Sequence, residues 1–121
     1  MKIKKEIFIC VDFDGTCVEH KFPLVGKTLP MCIEKLREFV ANDYKIILYT
    51  MRDKETLNDA ILWFSNNNIP LYAINDNPSQ HRWTTSPKVF ADVYIDDMAY
   101  GVPLVYPKNS RPYVDWSKIN L

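Results

Sequence analysis

Cysteine and histidine are too few and too scattered in this chain to build a zinc site. The three cysteines, Cys10, Cys17 and Cys32, show no Cys-x-x-Cys spacing, and His20 and His81 each stand alone. Neither sign of charge is in excess: fifteen basic and fifteen acidic residues leave a net charge of zero. No global field therefore draws the chain to nucleic acid or to an anionic membrane. No apolar run approaches the roughly 20 residues that span a bilayer, and no charged start leads into a long apolar stretch with a small-residue cleavage site. The expectation is a reduced, cytoplasmic, soluble protein with no membrane partner.

What is present is enough apolar material for a core. At 121 residues and 47% hydrophobic content, the chain predicts one domain over residues 1–121 that needs no staples. Lys5 to Asp12 reads as a strand apolar on both faces, as in a parallel sheet covered on each side. Cys10 within it is most simply a core residue. Ile33, Leu36, Phe39 and Val40, after Pro30, predict an amphipathic helix over 31–41. A second strand follows from Lys45 to Tyr49. Asp53 is placed to cap another helix, with Leu57, Ala60, Ile61 and Phe64 on its apolar face and Trp63 assigned to the core. Leu71 to Ile74 predicts a third strand, 75–86 a loop, Val93 to Ile95 a fourth strand and Leu104 to Tyr106 a fifth. This alternation implies an α/β fold with a parallel sheet and helices on both faces.

The first strand delivers two carboxylates to one point. Residues two apart on an extended chain project to the same side, so Asp12 and Asp14 address one site where the strand stops. Gly15 permits a sharp turn and Thr16 adds a small hydroxyl. The second apolar run ends in Thr50, and the fourth ends in Asp96 and Asp97. Lys88 lies just ahead of that last strand. Read alone, the first segment could be a buried strand ending in a polar turn, Asp96 and Asp97 the start of a loop, and Lys88 a solvated lysine.

Taken in order, Asp12, Asp14, Gly15 and Thr16, then Thr50, then Lys88, then Asp96 and Asp97 resemble the four motifs of the haloacid dehalogenase-like superfamily of phosphohydrolases. The resemblance runs from Ile7 to about Gly101 and is nearest to small members without a cap domain. It implies a three-layer α/β/α Rossmann-like fold with a central parallel sheet in the order 3-2-1-4-5. The acids would then lie at strand carboxyl ends beside the switch point, where open α/β sheets bind ligands.

The same resemblance implies the chemistry. Mg²⁺ would be held by the carboxylates of Asp12 and Asp96 and the backbone carbonyl of Asp14, with Asp97 joining directly or through water. Asp12 would attack a phosphomonoester to form an aspartyl-phosphate, and Asp14 would act as general acid and base. Thr50 and Lys88 would bind the phosphoryl group. Elementary electrostatics agrees on the need for a cation: like charges about 4 Å apart repel by roughly 4 kcal/mol at a surface-like dielectric. Oxygen donors without His or Cys favour a hard ion such as Mg²⁺.

No segment is long enough for a cap, so the site either admits a large phosphorylated molecule, a phosphorylated nucleic-acid end among them, or is closed by a neighbouring subunit. Arg52, after Thr50, is a candidate substrate-binding residue. The loop from Asn75 to Trp83 offers hydrogen bonders, Arg82 and an aromatic face, and also reads as a surface loop pinned by Trp83. Two rival functions stand beside the phosphatase. One is a phosphate- or metal-binding module without turnover. The other is a receiver-type phosphoacceptor domain, against which the late position of the acidic pair argues.

Overall fold

The computed structural model describes residues 5–121. Strand β1 (Phe8–Val11) is followed by helix α1 (Cys32–Ala41), strand β2 (Lys45–Leu48), helix α2 (Lys54–Asn66) and strand β3 (Ala73–Ile74). Strand β4 (Val93–Ile95) closes a central four-stranded sheet in the order β3-β2-β1-β4, parallel throughout. Every residue of β1 is buried, as its two apolar faces require.

The two faces are covered differently. Ile9, Val11 and Phe13 join Ile46 and Leu48 in packing against Leu36 and Phe39 of α1 and Ala60, Trp63 and Phe64 of α2. The ring of Phe13 meets Trp63 edge-on with centroids 5.7 Å apart. Phe8, Cys10 and Ile47, of opposite parity, pack instead against Val89, Ala91 and Tyr72. Burial pushes the Cys10 thiol up to about 12, in keeping with a core role.

Both long helices thus share one face, which corrects the expectation of helices on each side. The reason is handedness. The β1-α1-β2 and β2-α2-β3 crossovers advance in one direction, so right-handed connections lay both helices on the same face. The β3 to β4 connection runs back past β1 and crosses the other face, and residues 75–92 contain only a 3-10 turn over Pro78–Arg82. Side chains stand in for helical hydrogen bonds there. The Asn77 amide donates to Phe90 O, while Gln80 donates to Ser86 O and Lys88 O and accepts from the Phe90 N–H.

The fifth strand is a second correction. Leu104–Val105 (β5) does not join the sheet; it pairs antiparallel with Tyr113–Val114 (β6). This tail segment, which had no assigned role in the sequence, is fastened to the turn after β1. The Val114 N–H donates to Gly15 O, and the Trp116 indole donates to Thr16 O at 2.6 Å. Trp116 is 1% exposed and lies against Phe39 of α1. At the start of α2, Asp53 occupies the N-cap position without a capping hydrogen bond from its side chain; Thr56 Oγ1 donates to Asp53 O instead.

Trp116→Ala should therefore cost about 3–5 kcal/mol, the usual range for emptying a buried aromatic position. Urea unfolding of the two proteins measures it; a loss within experimental error would mean that the tail is only laid on the surface.

Candidate active site

Three carboxylates meet where β1 and β4 end. Oxygens of Asp12, Asp96 and Asp97 lie within 4.8 Å of one another, and the Asp12 N–H donates to Ile95 O, which locks the two strand ends together. Thr16, fully buried, links the two acidic segments: its hydroxyl donates to Asp12 Oδ2 at 3.0 Å and accepts from the Asp97 N–H at 3.1 Å. Asp96 Oδ1 accepts from the Met98 N–H. Burial, with the Asp96 charge beside it, pushes the Asp12 carboxyl up to about 8 against the pull of Thr16. Burial raises Asp96 too, opposed by the Met98 N–H and reinforced by Asp97.

Asp14 stands apart from this cluster. Both of its oxygens accept from Arg52, Oδ2 from Nε and Oδ1 from Nη2, each at 2.8 Å. The Arg52 side chain is 1% exposed. Its other donors reach Pro23 O, Leu24 O and Thr56 O, so all five N–H groups of the fork are engaged. The guanidinium also lies about 5 Å from the ring centres of Phe13 and Phe22, at 5.0 and 5.2 Å. Arg52, expected as a substrate-binding side chain, instead engages all of these donors within the chain, holding Asp14, the segment 17–29 and the first turn of α2. Nothing in its sequence position separates an exposed arginine after Thr50 from this buried one.

Segment 17–29 forms a flap over the turn. Val18 bridges to Thr28, the Glu19 N–H donates to Lys27 O, and the Leu29 N–H donates to Cys17 O. His20, isolated in the sequence, hydrogen-bonds through Nε2 to Asp97 Oδ2 at 2.8 Å. Gly15 sits beneath this pair with φ +81, and a Cβ there would collide with both His20 Nε2 and Asp97 Oδ2. Glycine is thus required twice, by the turn and by the space.

Thr50 is at the end of β2 as anticipated. Its hydroxyl accepts from the Arg52 N–H and its own N–H donates to Asn75 Oδ1, which leaves the hydroxyl proton to be donated elsewhere. Lys88 is not gathered in. It is exposed on the crossover segment, its N–H donates to Ser86 Oγ, and among the described residues its ammonium forms no ion pair with Asp12, Asp96 or Asp97. In the loop offered for selectivity, Asn77 and Gln80 are buried and structural, Trp83 is exposed with its ring against Phe90, and Arg82 is exposed.

The donor set fits a hard divalent cation. It consists of carboxylate oxygens alone, close enough for a shared ion, and two of the acids are held toward protonation by burial and by a neighbouring carboxylate, Asp96 for Asp12 and Asp97 for Asp96.

A solved structure of a conserved protein from Bacteroides thetaiotaomicron is 37% identical to this chain over 80% of each, with a TM-score of 0.72. The chain belongs to the family of that protein. No protein-family model matches it, and no curated protein does. Among the described residues no helix is long and apolar enough to cross a membrane.

Two expectations follow from this geometry. Removing one partner of a buried ion pair costs about 3–5 kcal/mol because a charge is left uncompensated. Arg52→Ala should lose stability on that scale, and Asp14→Asn in the same chain should recover part of it; strictly additive losses in a double-mutant cycle would show that the two side chains are not coupled.

The second concerns pH. Asp12 is raised from its ordinary 3.8 to about 8, so without a cation the folded protein keeps a proton that the unfolded chain releases. The sign is a stability present below about pH 4 and lost as the pH rises toward 8. In chelator-treated protein Asp12→Asn should be more stable than the parent at pH 8, and that advantage should vanish near pH 4. Thermal unfolding across this range checks it, and an advantage that grows toward low pH would contradict the assigned burial.

Proposed function

We propose that the chain is a Mg²⁺-dependent phosphomonoester phosphatase of the haloacid dehalogenase-like type, on a Rossmann-like domain without a cap. The observation that carries this reading is the meeting of Asp12 with Asp96 and Asp97 at the ends of β1 and β4, with the Thr50 hydroxyl at the end of the neighbouring β2. Asp12, Asp96 and Asp97 would hold the cation through their carboxylates, and Asp14 only through its backbone, because its side chain is engaged by Arg52. A bound divalent cation supplies the positive charge that keeps Asp12 ionised at neutral pH and offsets the phosphoryl oxygens.

A carboxylate oxygen of Asp12 forms a bond to phosphorus as the ester oxygen leaves, giving an aspartyl-phosphate. The leaving oxygen takes a proton from Asp14, which acts as the acid only after one of its oxygens has left Arg52 and taken up a proton from solvent. Water then attacks the phosphorus, passes a proton back to Asp14, and releases inorganic phosphate and free Asp12. For Asp14 to serve in this way, one of its bonds to Arg52 must be exchanged for a bond to the leaving oxygen. Thr50 donates to a phosphoryl oxygen.

Lys88 favours a second reading. The motif order assigns it to the phosphoryl group, yet it is exposed and unpaired with the acids. A site that binds phosphate and metal without turnover would not need that cation.

Release of inorganic phosphate from an aryl phosphate should require Mg²⁺ and stop on chelation. Asp12→Asn should lose more than the roughly 10²–10³ in rate that removal of one hydrogen-bond donor costs. Undiminished release by that variant would sink the covalent route, and phosphate binding by the parent without any release would establish the second reading.

A further inference from the structure

The flap reaches the carboxylate of Asp97 through the His20 side chain. Its Nε2–H donates to Asp97 Oδ2 at 2.8 Å, and the two side chains are only 17% and 6% exposed. The contact joins residues 77 positions apart, so the flap must be folded down for it to exist. Space for it is reserved by the chain itself, since any side chain at Gly15 would occupy the position of this hydrogen bond. Asp97 is therefore held from two sides: its backbone N–H by Thr16, which also holds Asp12, and its carboxylate by His20.

Resting on the reading of Asp12, Asp96 and Asp97 as a cation site, we propose that His20 is a positioning residue that orients the Asp97 carboxylate for the cation and so couples flap closure to cation binding. The physical reason is that a free carboxylate rotates about its side-chain bonds, whereas a hydrogen bond to one oxygen fixes the direction of the other. Partners of this kind, one step removed from the metal, set ligand orientation in metal sites generally. Arg52 fixes the flap tip independently, through Pro23 O and Leu24 O, so the flap stays attached when His20 is changed. Linkage then requires reciprocity: if the closed flap favours the cation, the cation favours the closed flap to the same extent.

The test uses the full chain freed of metal by chelation and titrated with Mg²⁺ in a calorimeter. His20→Ala should weaken Mg²⁺ by about 10–100-fold, the usual effect of removing such a partner. His20→Gln, which keeps an N–H donor at a similar reach, should restore most of that affinity. Hydrogen exchange supplies a second readout: Mg²⁺ should slow exchange of flap amides between Val18 and Thr28 in the parent, and this slowing should be absent in His20→Ala. Should His20→Ala fail to fold, His20→Phe keeps the ring volume without the donor and takes its place.

Unchanged Mg²⁺ affinity in the folded variant, or equal losses with Ala and Gln, overturns the positioning role. A parent that binds no Mg²⁺ at all overturns the cation-site reading itself. The two failures are distinguishable because only the first leaves a measurable parent affinity.

Discussion

The guanidinium of Arg52 organises the carboxyl end of the sheet. It has almost no contact with solvent, so each of its five N–H groups must find an acceptor within the protein, and each does. Those acceptors belong to three different parts of the chain: the acid after β1, the tip of the flap, and the first turn of α2. Moving any one of them would strand a buried donor. A buried ion pair of this kind adds little net stability compared with an apolar packing of the same volume. Its effect is geometric, because the planar fork allows one arrangement of Asp14 and of the two flap carbonyls.

With Asp14 turned toward Arg52, the cluster at the strand ends consists of Asp12, Asp96 and Asp97, and their repulsion has to be contained by the surrounding chain. Thr16 takes the central part, bridging Asp12 and the backbone of Asp97 through one hydroxyl. The turn that presents Thr16 is braced in turn by the tail, through the Val114 N–H on Gly15 and the Trp116 indole on Thr16. The last residues of the chain thus support the first motif. Burial of Trp116 against α1 links that support to the main core.

Period and strand ends made much of this legible in the sequence. The unbroken apolar run over 7–11 placed β1, the i, i+3, i+4 pattern placed α1 and α2, and the positions of Asp12, Thr50, Asp96 and Asp97 at strand ends followed. What could not be read were partners distant in sequence. Arg52 and His20 are ordinary surface residues by composition, and only the folded path of the flap brings one to Asp14 and the other to Asp97. The β3 to β4 connection reads as a loop and is one apart from a 3-10 turn; the helix expected over that face is not needed, because covering a sheet face requires apolar contact, and Val89, Ala91 and Tyr72 supply it. Leu104–Val105 had the composition of a sheet strand but found a nearer antiparallel partner in Tyr113–Val114.

A division of charge runs through the four acids. Asp14 is paired with a guanidinium and Asp97 with an imidazole, and both of those partners also fasten the flap. Asp12 and Asp96 have hydrogen bonds from Thr16 and Met98 but no ion pair among the described residues. They are also the two carboxyls that burial drives toward protonation. Asp12 and Asp96, at the ends of adjacent strands, therefore have no basic side chain against them, whereas Asp14 and Asp97 each meet one that also holds the flap. A cation seated among Asp12, Asp96 and Asp97 would offset that crowding, and Lys88, exposed on the crossover segment, does not. Asp97 alone belongs to both groups among the described residues, a carboxylate of the cluster after β4 and the anchor of the flap through His20.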